Sequence, residues 1–127
     1  MMTMNMIQTD KAPAAIGPYS QAVEVGPFLY TSGQIPLTPA GEMVDGGIEA
    51  QVNQVFANLD AVLAAASAAR NQVVKATIFM TDLADFAVVN RACETFFGEH
   101  KPARSTVQVA ALPRGAQVEI ELVVYKG

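Results

Sequence analysis

Apolar and polar positions divide the chain into segments of two periods. From Ile48 to Ala66, the residues Ile48, Val52, Val55, Phe56, Leu59, Val62, Leu63 and Ala66 recur three and four apart, laying one apolar stripe on a helix. A second helix is expected from Asp85 to Gly98, with Asp82 or Asp85 as N-cap and Gly98 as stop. Phe86, Asn90, Cys93 and Phe97 fall on one face of it. Shorter runs read as strands: YSQAVEV (19–25), FLYTS (28–32), VVKATIFM (73–80), STVQVAA (105–111) and QVEIELVVY (117–125). Gly26-Pro27, Pro39-Ala40-Gly41 and Leu112-Pro113-Arg114-Gly115 supply turns between them. VVKATIFM is apolar on both faces, with Val74, Ala76, Ile78 and Met80 on one side and Val73 and Phe79 on the other. Such a strand needs helices on one side and something else on the other. The order βββαβαββ indicates an α+β fold with both helices on one face of a mixed sheet, in a single domain spanning residues 1–127.

Composition narrows the partners. The chain is 51% hydrophobic and only 16% charged, too little charge to cover so small a domain, so apolar surface is expected to meet further copies of the chain. A net charge of −4 and eight scattered basic residues argue against nucleic acid, which needs clustered Lys and Arg. The one cysteine, Cys93, and the one histidine, His100, make neither a disulfide nor a four-ligand zinc site, and a reducing compartment fits. No basic residue precedes an apolar run at the start, and LDAVLAAASAA is short of the ~20 apolar residues that span a bilayer. A cytoplasmic protein without membrane contact is expected.

Several residues stand where pattern alone does not put them. Arg104, framed by Pro102 and Ala103, comes just ahead of an alternating run. It reads either as a surface arginine at a strand end or as a carboxylate clamp, a planar fork aimed by the fixed backbone of Pro102. Asn90, on an apolar helix face, is either a buried amide bonded to loop backbone or the wall of a pocket. Glu119 and Glu121 share one face of the last strand, while Val118, Ile120 and Leu122 take the other. They face solvent, or one of them sits at a subunit seam with a raised pKa as acid and base. Tyr19 follows a Gly-Pro turn, and Ser32 ends a strand just before Gly33, where a ligand can approach the backbone closely. Cys93 and His100 read as structural. No glycine loop has phosphate-cradling spacing, and nothing local resembles a nucleophile elbow.

The combination of IGPYSQ (16–21), SGQIP (32–36) and PARS (102–105) resembles the reactive-intermediate deaminase family (RidA, or YjgF), and the likeness runs over nearly the whole chain. The resemblance implies a chorismate-mutase-like fold and a homotrimer whose sheets form a central barrel with the helices outside and three pockets at the subunit clefts. It implies cofactor-free and metal-free hydrolysis of 2-imino acids, such as 2-aminoacrylate/2-iminopropanoate and 2-iminobutanoate, to 2-oxo acids and ammonia. By the same resemblance Arg104 matches the arginine that binds the substrate carboxylate. Tyr19, Ser32, Gly33, Asn90 and Glu119 match other pocket positions, with Glu119 positioning water and moving protons. Thr106 stands where many members carry a cysteine two residues after the arginine, and imine hydrolysis needs no covalent intermediate there. Arg104 and Glu119 are expected on neighbouring strands. A non-catalytic, regulatory binder of small carboxylates and an RNA-cleaving protein are the other readings.

Overall fold

The computed structural model describes residues 3–127. Its elements are β1 (Met4–Ile7), β2 (Ala22–Val25), β3 (Phe28–Thr31), α1 (Ile48–Ala65), β4 (Val73–Met80), α2 (Phe86–Phe97), β5 (Ala103–Gln108) and β6 (Val118–Tyr125). The expected order βββαβαββ is present, with β1 in a stretch that the apolar pattern had not marked as a strand. All six strands form one sheet in the order β1-β2-β3-β6-β4-β5. Every neighbouring pair is antiparallel except β4 and β5, which run parallel through the crossover of α2. Both helices pack on one face of this mixed sheet. Among the described residues, no helix is long and apolar enough to cross a membrane.

The α1 stripe is the backbone of the core. Val52, Val55, Leu59 and Val62 are wholly buried against Ile78, Ile120, Leu122 and Val124 of the sheet, each such side chain contributing about 1.5–3 kcal/mol. Phe56 on α1 stacks on Phe96 of α2 with ring centroids 4.5 Å apart. The helix ends in a Schellman arrangement, in which Ser67 takes φ 55 and Ala68 N–H reaches the Leu63 carbonyl at 2.8 Å.

Three features depart from the sequence pattern. A bulge between Val73 and Lys75 breaks the strict alternation of β4. Val73 therefore joins Ala76, Ile78 and Met80 in the core while Val74 is turned out. The β5 strand starts at Ala103 and stops at Gln108, so Arg104 lies inside it rather than ahead of it. On α2 the buried stripe is Val89, Cys93 and Phe96, which leaves Phe86 and Asn90 on the rim of the helix.

Candidate functional site

The register of the sheet decides which candidates can meet. Ala76 is buried on the helix side and pairs with Leu122 on one flank and Arg104 on the other. Directly paired residues share a face, so Arg104 points to the helix side as well. Phe79, three positions along β4, pairs with Glu119, which puts that carboxylate on the opposite face. The expectation that Arg104 and Glu119 stand on neighbouring strands is corrected: β4 lies between β5 and β6, and the two side chains leave the sheet in opposite directions.

Arg104 is exposed but tethered. Its Nη1 donates to Asn90 Oδ1 at 2.8 Å, and its guanidinium carbon lies 5.4 Å from the centre of the Phe86 ring. Asn90 in turn donates to Glu94 Oε1 at 3.2 Å. The buried amide bonded to loop backbone does not describe it: Asn90 is half-buried and its amide oxygen holds the arginine. Cys93 lies beneath this cluster. Burial pushes its thiol pKa up, and the neighbouring guanidinium offsets part of that rise. Thr106, two residues along β5, also faces the helix side through its pairing with Ile78. Among the described residues its hydroxyl is a buried side-chain polar atom with no hydrogen-bond partner.

Glu119 belongs to a second cluster. A Cβ placed on Gly33 would lie 2.6 Å from Glu119 Oε2 and 2.8 Å from its carboxyl carbon. Only a glycine allows the carboxylate to rest there. Half-burial, and secondarily the charge of Glu121 two residues on, hold the Glu119 pKa above the usual carboxylate range. Gly33 and Tyr19 both line a cavity of about 340 Å³, and Tyr19 is 54% exposed at its edge. Ser32 adjoins it. Its hydroxyl donates to the Ser20 carbonyl at 2.5 Å and its N–H to the Gln21 carbonyl at 2.9 Å, so the serine ties β3 to the loop before β2 and retains acceptor capacity only. His100 bonds the Val73 carbonyl through Nε2 at 2.6 Å, a structural contact as expected.

Two buried amides that the sequence reading passed over fix the loops of this second cluster. Gln21 accepts from Thr9 N–H at 2.7 Å and donates to the Pro13 carbonyl at 2.8 Å. Asn58 on α1 donates to the Leu37 carbonyl at 2.9 Å and the Ile35 carbonyl at 3.3 Å. A signal existed for Asn58, since it is three residues from Val55 and four from Val62 on the apolar stripe, where an amide must find partners.

Residues 9–126 match the family described as endoribonuclease L-PSP. The chain belongs to this family. It is the RidA/YjgF group that the motifs resembled. A mouse member named 2-iminobutanoate/2-iminopropanoate deaminase is 49% identical over 96% of this chain and 91% of its own. Among solved structures similar to this chain, RidA of the Antarctic bacterium Psychrobacter sp. is 51% identical, covering 95% of this chain and 98% of its own with a TM-score of 0.91. E. coli TdcF with bound serine is 40% identical, covering 97% and 99%, with a TM-score of 0.92.

Proposed function

We propose that this protein hydrolyses reactive 2-imino acids, among them 2-iminopropanoate and 2-iminobutanoate, to 2-oxo acids and ammonia, in cavities formed between copies of a homotrimer. The observation that carries it is a division of labour across the sheet. A tethered guanidinium stands on one face and a carboxyl with raised proton affinity on the other, so one copy must supply Arg104 and another Glu119 for a small acid to meet both. The mouse relative's name and the amino acid bound to TdcF support the substrate class.

The chemistry suits these groups. A protonated imine is already electrophilic, so the protein needs chiefly to orient it and deliver water. Arg104 grips the carboxylate, with Asn90 fixing the fork. Glu119 removes a proton from water as its oxygen adds to the C=N carbon. It returns that proton to the nitrogen and then accepts the hydroxyl proton as the C–N bond breaks, so that the carbonyl forms and the departing ammonia carries the proton away as ammonium. Tyr19 and the Gly33 backbone bound the space in which this occurs. No step calls on a cofactor or a metal. The acidic charge balance and the lack of clustered basic residues argue against RNA as substrate, and a cytoplasmic setting serves the same chemistry.

A coupled assay tests it. With a threonine dehydratase generating 2-iminobutanoate, added protein is expected to speed the appearance of 2-oxobutanoate, and Arg104→Ala to abolish the gain. An unchanged rate with wild-type protein would dismiss the proposal. The regulatory-binder reading differs at Glu119: a binder would keep its affinity and function in Glu119→Ala, a deaminase would lose turnover.

A further inference from the structure

Phe86, Asn90 and Glu94 follow one another at intervals of four along α2, so their side chains stand in one row on its surface. The first two meet Arg104 directly. Its guanidinium lies over the Phe86 ring, and its Nη1 donates to Asn90 Oδ1 at 2.8 Å. Glu94 is exposed, and among the described residues no ion pair joins it to Arg104. Its Oε1 instead accepts from Asn90 Nδ2 at 3.2 Å. Among the described residues these are the two side-chain bonds that Asn90 makes.

The order of groups in this chain settles which way the amide faces. An asparagine side chain has an oxygen that accepts and a nitrogen that donates, and half a turn about its last bond exchanges them. A guanidinium only donates, and a carboxylate only accepts. Between the two, Asn90 has one satisfactory orientation, with nitrogen toward Glu94 and oxygen toward Arg104. Turned over, it would set N–H against N–H on one side and oxygen against oxygen on the other. Without an acceptor at position 94, half of that preference is gone.

We infer that Glu94 is a positioning residue that acts through Asn90, keeping the amide oxygen on Arg104 so that the guanidinium presents its remaining N–H groups to the substrate. The inference rests on the reading that Arg104 grips the substrate carboxylate. A plain charge effect would run the other way, because a negative group near the site repels an anionic substrate. Reversing the charge at this position therefore separates aim from attraction.

Steady-state kinetics with 2-iminobutanoate and calorimetric titration with 2-oxobutanoate, a stable product acid, test it on the same variants. Glu94→Lys replaces the acceptor by a donor and draws the Asn90 oxygen away from Arg104. KM should rise about fivefold or more, with kcat changed by less than about twofold, despite the added positive charge. Glu94→Gln still accepts through its amide oxygen and should stay within about twofold of wild type. In an Asn90→Ala background, Glu94→Lys should raise KM no further, since its route to the guanidinium is already cut. A KM lowered or left unchanged by Glu94→Lys, or an equal rise with and without Asn90, would overturn the inference. The dissociation constant of 2-oxobutanoate should follow the same pattern and needs no turnover, so a failure of imine hydrolysis leaves the Glu94 comparison decisive. If Arg104→Ala binds 2-oxobutanoate as wild type does, the anchoring role of Arg104 falls, and the role of Glu94 falls with it.

Discussion

Arg104 and Glu119 leave the same sheet from opposite faces, and their surroundings are opposite too. Arg104 is on the edge strand β5, open to water, and takes its direction from a separate element through Asn90 and Phe86. Glu119 is on the interior strand β6, half-buried, wedged against Gly33 and repelled by Glu121. A guanidinium stays charged anywhere, so solvent exposure costs it nothing, and what it needs is aim. A carboxyl that must exchange protons needs a shifted affinity, which comes from desolvation. The two groups of one proposed reaction thus ask for different environments, and one sheet supplies both by presenting them on different faces.

The contrast can be broken from either side. Arg104→Ala and Glu119→Gln are each expected to lower kcat/KM for imine hydrolysis about a hundredfold or more, with little loss of folding for the exposed arginine. Gly33→Ala comes next. Its new methyl must displace the Glu119 carboxylate, and steady-state kinetics should show kcat reduced about tenfold or more while Arg104-dependent affinity for 2-oxobutanoate persists. Asn90→Ala frees the guanidinium and should raise KM about tenfold with a smaller change in kcat.

Stability reports on the Glu119 side alone. Because its pKa is raised in the folded protein, the native state binds a proton there more readily than the unfolded chain does. The contribution is complete below the ordinary carboxylate pKa and is lost as pH rises through the raised value. Glu119→Gln should therefore gain stability relative to wild type on going from pH 4 to pH 7, as measured by urea unfolding at both. A constant difference would mean that the carboxyl is not desolvated. The smallest effect separates Val73 from Val74: Val73→Ala should cost about 1–3 kcal/mol and Val74→Ala less than about 0.5 kcal/mol, the reverse of what unbroken alternation would give.

The helices were readable because each carries its own period. The α1 stripe named eight positions, and seven of them are buried with Ile48 packed at their edge. The alternation of Glu119 and Glu121 against Val118, Ile120 and Leu122 likewise placed both faces of β6 correctly. Partner choice was not readable in the same way. Sequence places β5 and β6 side by side, but the crossover through α2 docks β5 on the outer flank of β4, and β6 enters between β3 and β4. That outcome depends on long-range pairing, which leaves no local period, and it is what separates Arg104 from Glu119. The bulge at Val73 escaped for a related reason, since one extra residue flips every side chain before it.

A mixing experiment bears most directly on the placement of the two charges. Arg104→Ala and Glu119→Gln proteins, each inactive alone, would be unfolded together, reassembled in equal amounts and assayed for 2-oxobutanoate release. If each cavity draws its guanidinium from one copy and its carboxyl from the next, about a quarter of the cavities in a random assembly carry both native groups, and a matching share of activity should return. Mixtures as silent as their parents would show that both groups must come from one chain, contrary to the geometry of the sheet.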